Sequence, residues 1–149
     1  MVWAAFGFNS QVGLAFLDDR QNSPNYIETL ENYLMPFAEN IGGRNWEYQH
    51  DDASIYTSNA TKNYLNSKNG TGLEWPPISP DLNPIGNVWD IMSRKVHENG
   101  EQFYSVNILK TNIESSWYNL EPGILQTLIM SMEKRVYDAI LRNGKTLNY

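Results

Sequence analysis

The amino-acid sequence predicts an α/β fold with a partly parallel sheet. Apolar strand-like segments alternate with helical stripes, turn residues separate them, and 41% of the 149 residues are hydrophobic. This composition suits a domain with a hydrophobic core and argues against disorder. We therefore expect residues 1–149 to form one domain. Strands that alternate with helices along the chain favour parallel pairing between at least some of those strands.

The first elements predicted are a hairpin and a long helix. Residues 2–8 (VWAAFGF) and 12–17 (VGLAFL) are apolar and flank a polar turn, which is typical of two buried strands. Ser23-Pro24 provides an N-cap and a first helical residue. We expect Pro36 to kink this helix and Gly42-Gly43 to end it. The buried stripe of the helix is predicted to contain Ile27, Leu30, Leu34, Phe37 and Ile41.

The middle of the chain is predicted to hold a strand, a short helix and another strand. Residues 46–51 (WEYQHD) alternate large rings with polar residues, as a half-buried strand does. Thr57 or Ser58 can cap the short helix, and the NGTG sequence at 69–72 ends it. Residues 73–75 then form a short strand, and the proline-rich segment after it is extended.

The last part of the chain is predicted to be helical. Asn83 is a favourable N-cap and Pro84 a favourable first helical residue, so a helix begins there. Two further amphipathic helices follow, and Gly144 lies past the end of the second. The first has Val106, Leu109, Ile113 and Trp117 on its apolar stripe, and the second has Ile124, Leu125, Leu128, Met132, Val136, Ile140 and Leu141.

Charge and composition argue against several classes of protein. The formal net charge is −6, whereas nucleic-acid-binding proteins usually carry a basic surplus. The two dense basic pairs, Arg94-Lys95 and Lys134-Arg135, are interpreted as solvated helix surface. Cysteine is absent, which excludes disulfides and Cys-based zinc sites. We find no apolar run long enough for a membrane span and no signal peptide, so we expect an intracellular protein without membrane contact.

Two segments carry a resemblance to a known family. The sequences YQHDDASIYTS at 48–58 and WPPISPDLNPIGNVW at 75–89 resemble the catalytic core of the mariner superfamily of DNA transposases. In that family a strand ends in a pattern like QQDNAPxHxS, and WPxxSPDLNPIENxW follows further along the chain. The second pattern is nearly complete here, and the resemblance covers the whole chain. It implies a ribonuclease H-like mixed sheet flanked by helices.

The resemblance also indicates what has happened to the family's metal centre. In the family an acidic triad binds two divalent cations, which activate water or a 3′-hydroxyl for attack on a DNA phosphate. The second acid aligns with Asp51 and the third with Gly86, which has no carboxylate. We expect the first acid, and the family's first strand that carries it, to be missing upstream of Val2. The resemblance therefore implies no enzyme activity, loss of the ancestral Mg²⁺, and at most a weak metal site at Asp51.

Other polar residues are poor replacements for the missing ligands. Asp52 follows Asp51 on a strand and points to the opposite face. Asp90 lies one helical turn too far along its helix, and the family also has an aspartate at Asp81 that is not a triad member. His50 is predicted to be a packed histidine because it alternates with the strand's aromatic residues. A histidine near the end of a helix, such as His97, suits the helix dipole.

The predicted function is that of a transposase-derived, catalytically inactive domain. It would act as a protein-interaction or dimerisation module, with a protein partner or a second copy, in the nucleus or cytoplasm; the family resemblance favours the nucleus. Without the first strand, an open apolar edge at the hairpin would be an association site. The predicted interface residues are Trp3, Phe6, Phe8, Leu14 and Phe16.

Two alternatives stay open at this stage. The chain could be a non-cleaving nucleic-acid-binding protein that retains the transposase groove. The net charge of −6 counts against that alternative. The second alternative is that the chain is a decayed transposon fragment without a selected function.

Overall fold

The structure is a computed structural model and has a mixed α/β architecture. It describes residues 1–18, 20–41, 45–51, 53–76, 79–98, 100 and 102–145. The chain divides into two compact units, Met1–Ala4 with Ala15–Ser79 and Ala5–Leu14 with Pro80–Tyr149. The single domain predicted over residues 1–149 stays a prediction. Within the described ranges, none of the helices is long and apolar enough to cross a membrane.

The predicted hairpin is present and contributes residues to both units. Strand β1 (Val2–Phe6) pairs with β2 (Gln11–Phe16). The N–H of Gly7 donates to the carbonyl of Ser10 at 2.8 Å and closes the turn. Both strands are buried at their centres, as their apolar sequences predict. The first strand ends two residues earlier than predicted, because the chain turns at Gly7.

A long helical segment follows the hairpin in three parts. These are α1 (Ser23–Thr29), a π-helical turn (Leu30–Leu34) and α2 (Met35–Ile41). Within the π-helical turn the N–H of Met35 donates to the carbonyl of Leu30, five residues back. The departure from α-helix thus lies directly before Pro36, which has no N–H to donate.

The cap and the buried face of this segment differ from the prediction. Asn22 is the N-cap in place of Ser23, because its Oδ1 reaches the N–H of Asn25 at 2.8 Å. Ile27 and Phe37 are only half-buried, and the side chain of Ile41 and Gly42-Gly43 lie outside the described residues. The buried residues are Tyr26, Thr29, Leu30, Leu34, Met35 and Ala38.

A parallel strand pair lies in the first unit, as predicted, but its boundaries differ. Strand β3 (Trp46–Tyr48) pairs with β4 (Gly70–Gly72). The second strand therefore occupies the NGTG sequence that was predicted to be a break. The physical reason is close packing: a Cβ at Gly70 would overlap the ring of Trp46, and one at Gly72 would lie 2.8 Å from His50 Nε2. Tertiary contact here overrides the weak strand propensity of glycine.

Helices α3 (Ser54–Thr57) and α4 (Asn59–Ser67) connect the two parallel strands. Of the two predicted caps for the short helix, Ser58 is the one used. Its Oγ accepts a hydrogen bond from the N–H of Thr61 at 3.2 Å. The Oγ1 of Thr61, which is fully buried, donates to the carbonyl of Ile55 at 2.7 Å. This local network fixes the start of the connecting helix.

The second unit is built mainly from three helices. They are α5 (Pro84–Val96), α6 (Val106–Tyr118) and α7 (Pro122–Leu141), and a 3₁₀ turn at Pro80–Leu82 precedes them. Its core contains Val88 and Met92 of α5, Trp117 of α6 and Leu125 of α7. The rings of Trp89 and Trp117 stack with their centroids 6.3 Å apart.

Helix α7 buries a different face from the one predicted. Leu125 is buried, but Val136, Ile140 and Leu141 are exposed. Arg135, predicted to be solvated, is only 3% exposed, whereas its neighbour Lys134 is exposed as expected. The prediction for Arg135 was wrong because its guanidinium donates hydrogen bonds to the carbonyl of Asp81 and to the side chain of Asn87, near the start of α5.

Candidate functional site

Asp51 lies beyond the end of its strand. Strand β3 ends at Tyr48, three residues earlier than predicted, and the Asp51 side chain is exposed. Its Oδ1 accepts a hydrogen bond from the N–H of Ala53 at 3.1 Å, which turns the chain towards α3. The carboxylate is therefore a hydrogen-bonded acid past the strand end. Over the ranges that the structure describes, no three His, Asp or Glu side chains converge as a cation site.

His50 is packed, as predicted. Its Nδ1 lies 2.7 Å from the carbonyl oxygen of Asp51, and because a carbonyl can only accept, Nδ1 carries the proton. Its ring centroid is 5.8 Å from the ring of Tyr48 and 5.8 Å from that of Tyr56. Gly72 leaves room for the other ring nitrogen. The imidazole is thus held in place by two rings, a backbone carbonyl and a glycine.

Three tyrosines form a cluster beside His50. The rings of Tyr26 and Tyr56 lie 4.3 Å apart, and the hydroxyls of Tyr26 and Tyr48 are 3.5 Å apart. Burial raises the pKa of Tyr48 to about 12. Burial also raises the pKa of Tyr26, and burial followed by the charge of Asp51 raises the pKa of Tyr56. All three hydroxyls are therefore neutral at physiological pH.

The tyrosine cluster predicts a loss of stability in alkali. The pKa of Tyr48 rises from 10.0 to about 12 on folding, so the folded state holds this proton more tightly. Its stabilising contribution is complete below pH 10 and is lost as the pH rises towards 12. The melting temperature should fall over that range, and less steeply in Tyr48→Phe. The control is Tyr104→Phe, at a side chain that is 95% exposed. Equal slopes in wild type and Tyr48→Phe would contradict this prediction.

Gly86 lies in the first turn of α5, as the sequence predicts. The Oδ1 of Asn83 accepts a hydrogen bond from the N–H of Ile85 at 3.3 Å, and Pro84 is the first helical residue. Gly86 is thus the third helical residue. It is exposed, and a Cβ placed on it would have no heavy atom within 4 Å. Packing around the place of a Cβ therefore gives no reason for a glycine at this position.

Replacing Gly86 by glutamate should stabilise the protein. Helix propensity and the positive end of the helix dipole together favour the change by roughly 1 kcal/mol. Thermal unfolding should show this as a rise of about 3 °C in melting temperature. Gly86→Ala is the matched control, because it adds the propensity without the charge. A lower melting temperature in Gly86→Glu than in wild type would contradict this prediction.

Arg135 of α7 holds the segment that carries Gly86. Its Nη1 donates to the carbonyl of Asp81 at 3.1 Å and to Oδ1 of Asn87 at 2.8 Å. Its Nε donates to the Oγ of Ser131 at 2.9 Å. Sequence reasoning missed this residue, although it follows Met132 of the apolar stripe at a helical spacing of three. That spacing is the signal that could have placed it on the buried face.

Among the residues that the structure describes, Asp81, Asp90 and His97 are not gathered into one site. The backbone carbonyl of Asp81 binds Arg135, as described above, and Asp90 is exposed on α5. Asp52 lies outside the described residues. The ring of His97, at the C-terminal end of α5, lies edge-on to Phe103 with their centroids 5.8 Å apart. His97 is the C-cap residue of α5, and its interaction with the helix dipole stays a prediction.

The five predicted interface residues of the hairpin differ in their exposure. Trp3 and Leu14 are 7% and 6% exposed, so the chain itself covers them. Phe6 and Phe16 are half-buried. Phe8 is 46% exposed and is the only one of the five that offers much surface to a partner. An interface at the hairpin, which stays a prediction, would therefore depend mainly on Phe8.

The parallel strand pair and the helices around it make this an α/β domain, which is the class that the sequence predicts. The chain is similar to the Mos1 transposase catalytic domain solved with Raltegravir and Mn, with a TM-score of 0.85 and 19% identity. That match covers 99% of this chain and 76% of the Mos1 chain. It confirms the predicted fold class.

The family follows from the sequence comparison. The profile of the DDE superfamily endonuclease family matches residues 3–110, and the chain belongs to this family. The chain is also 34% identical over 149 residues to the transposable element Tc3 transposase of Caenorhabditis elegans. It spans 45% of the length of that transposase. The predicted resemblance to mariner-type transposases is therefore confirmed.

Asp51 and Gly86, the two residues that align with the family's acids, do not fit the two-cation centre that the family implies. Asp51 offers one carboxylate, which already accepts a backbone hydrogen bond. Gly86 offers none, and open space surrounds the place where a side chain would begin. Divalent cations of this kind need several oxygen ligands at fixed positions. No reaction step is therefore assigned to a bound cation in this chain.

Proposed function

We propose that this chain is a transposase-derived domain that neither cuts nor joins DNA and acts as a protein-interaction or dimerisation module. Gly86 carries the proposal, because the position aligned with the family's third acid has no carboxylate and no packing reason to lack one. Asp90 stands one helical turn away and cannot take over the role, since Mg²⁺ tolerates little displacement of its ligands. A nuclear location is part of the proposal and rests on the family's action on DNA.

Exposed apolar side chains on the second unit support the interaction role. Large apolar groups in water mark association surfaces when they lie together. Several are exposed on helices α6 and α7 and on the residues just before α6. They are Tyr104, Val106, Ile108, Tyr118, Met130, Val136, Tyr137, Ile140 and Leu141.

A cleavage assay tests the catalytic part of the proposal. Purified protein is incubated with supercoiled plasmid and with oligonucleotide duplexes in Mg²⁺ or Mn²⁺, beside a matched Asp51→Asn control. We expect nicking and joining to stay at the level of the control. Water-proton relaxation with Mn²⁺ gives a second readout, in which we expect no tight cation site. Metal-dependent cleavage that Asp51→Asn abolishes would overturn the proposal.

A non-cleaving DNA-binding role is the second candidate. One solved relative, the Mos1 transposase paired-end complex with a left transposon end, has a TM-score of 0.87, 17% identity and coverage of 99% of this chain and 44% of that chain. The net charge of −6 counts against tight binding to phosphates. Duplex binding measured over a salt series separates the two candidates. A steep fall in affinity with salt favours DNA binding, and undetectable binding favours the interaction module.

A further inference from the structure

Helix α7 has a second regular stripe on the face that its own unit does not use. Its members are spaced by four and three residues in alternation, which is the period of a coiled-coil seam. All of them are exposed, and the three large apolar members, Met130, Tyr137 and Leu141, are 70%, 61% and 62% exposed. The stripe consists of Gly123, Thr127, Met130, Lys134, Tyr137 and Leu141, and Gly144 continues it beyond the helix end.

This seam is separate from the buried face of the same helix. Leu125 and Arg135 are the buried residues of α7, and neither belongs to the seam. The helix has 20 residues and is therefore about 30 Å long, with the seam running along nearly all of it. A helix with two such faces can pack into its own unit and against a second helix at the same time.

The one charged member of the seam selects the partner and its direction. A parallel pair of α7 helices in register would bring two Lys134 ammonium groups together, which repel each other. An antiparallel pair centred between Arg135 and Val136 instead places Lys134 beside Tyr137 of a second copy. An ammonium group near a tyrosine ring is attracted to the ring face. In this antiparallel pair the Lys134 ammonium group thus has a favourable contact that the second copy itself provides.

The same antiparallel register also matches four further members of the seam. It places Met130 opposite Leu141 of the second copy, so apolar side chains meet twice. It also places Thr127 opposite Gly144, where a small residue faces a glycine. Because one register satisfies all three pairs, the seam is complementary to itself. We propose that two copies of this chain associate through antiparallel pairing of their α7 helices, an inference that rests on the dimerisation role proposed above.

Cysteine cross-linking tests both the partner and the register, because the natural chain has no cysteine. Met130→Cys and Leu141→Cys proteins are oxidised separately and as an equimolar mixture. Disulfides need Cα atoms within about 7 Å, so the antiparallel register predicts cross-linked dimers in the mixture only. Asn107→Cys is the control, at an exposed polar side chain on α6. Rapid cross-linking of Met130→Cys alone would overturn the proposed register.

Light scattering at micromolar concentration gives the second measurement. Wild type should have twice the mass of the 17.1 kDa chain. Tyr137→Glu should weaken association by at least about tenfold, because it brings a charge into the seam. Asn107→Glu, at an exposed polar side chain on α6, should keep the wild-type mass, and circular dichroism checks that each variant is folded. A wild-type monomer would overturn the inference.

These results also separate the inference from the function on which it rests. A dimer that persists in Tyr137→Glu would overturn pairing through α7 but leave the interaction role standing. Metal-dependent DNA cleavage would overturn the proposed function whatever the oligomeric state.

Discussion

Replacing Arg135 by methionine should lower the free energy of unfolding by about 3 kcal/mol. The change keeps most of the side-chain volume but removes the donors to the Asp81 carbonyl and the Asn87 amide oxygen. Hydrogen bonds to a charged group contribute roughly 1.5–3 kcal/mol each, and acceptors left buried without a donor are costly. Urea denaturation followed by circular dichroism measures the loss.

Two controls make the Arg135 prediction specific. Lys134→Met changes an exposed neighbour on the same helix and should alter stability by no more than about 0.5 kcal/mol. Arg135→Lys keeps the charge but loses the planar fork, so it should fall between wild type and Arg135→Met. Amide exchange should also become faster at the start of α5, which Arg135 holds. Wild-type stability in Arg135→Met would show that these hydrogen bonds contribute nothing.

Replacing Trp117 by alanine should lower the free energy of unfolding by about 3–5 kcal/mol, since a large ring is lost and a cavity remains. Trp117 is completely buried and stacks on Trp89. Its backbone carbonyl also accepts a hydrogen bond from the Gln11 side chain at 2.5 Å, so the cavity would lie beside a long-range contact. A loss of this size is a large part of the stability of an ordinary domain.

The neighbouring residue provides the control for Trp117. Tyr118 is 63% exposed, so Tyr118→Ala should change stability by no more than about 0.5 kcal/mol. Trp117→Phe should be milder than Trp117→Ala. The indole N–H that it removes is buried and has no hydrogen-bond partner in the part of the chain that the structure describes. Equal losses in Trp117→Ala and Tyr118→Ala would contradict the assignment of Trp117 to the core.

Local signals in the sequence predicted the start of α5 and narrowed the start of α4 to a cap at Thr57 or Ser58. Asn83 and Pro84 begin α5, and Ser58 caps α4, because each cap depends on residues no more than three positions away. The parallel pairing was also predicted from the order of the elements. The position of β4 was not, since its glycines are required by the rings of Trp46 and His50. Those contacts join residues far apart in sequence, which no local pattern reveals.

In the candidate site, too, local motifs predicted some features, whereas contacts between residues far apart in sequence determine the others. The motifs identified Asp51 and Gly86, and the structure adds that one is hydrogen-bonded and the other surrounded by open space. The role of Arg135 could not be predicted from its neighbours, because Lys134 beside it has the same charge and is exposed. Its partners lie 54 and 48 residues away. The sequence alone does not show which residue of a basic pair on an amphipathic helix is buried, because that depends on the polar groups of the surface against which the helix packs.

The π-helical turn at Leu30–Leu34 has an evolutionary consequence. A hydrogen bond that reaches back five residues accommodates one residue more than an α-helical turn does. Deleting one residue from this turn should convert it to regular α-helix while the parts before and after it keep their orientation. Tyr26 and Ala38 would then remain on their buried faces. A single-residue gap in related sequences is therefore expected to be tolerated here, whereas the same gap within α1 would rotate every later side chain by about 100°.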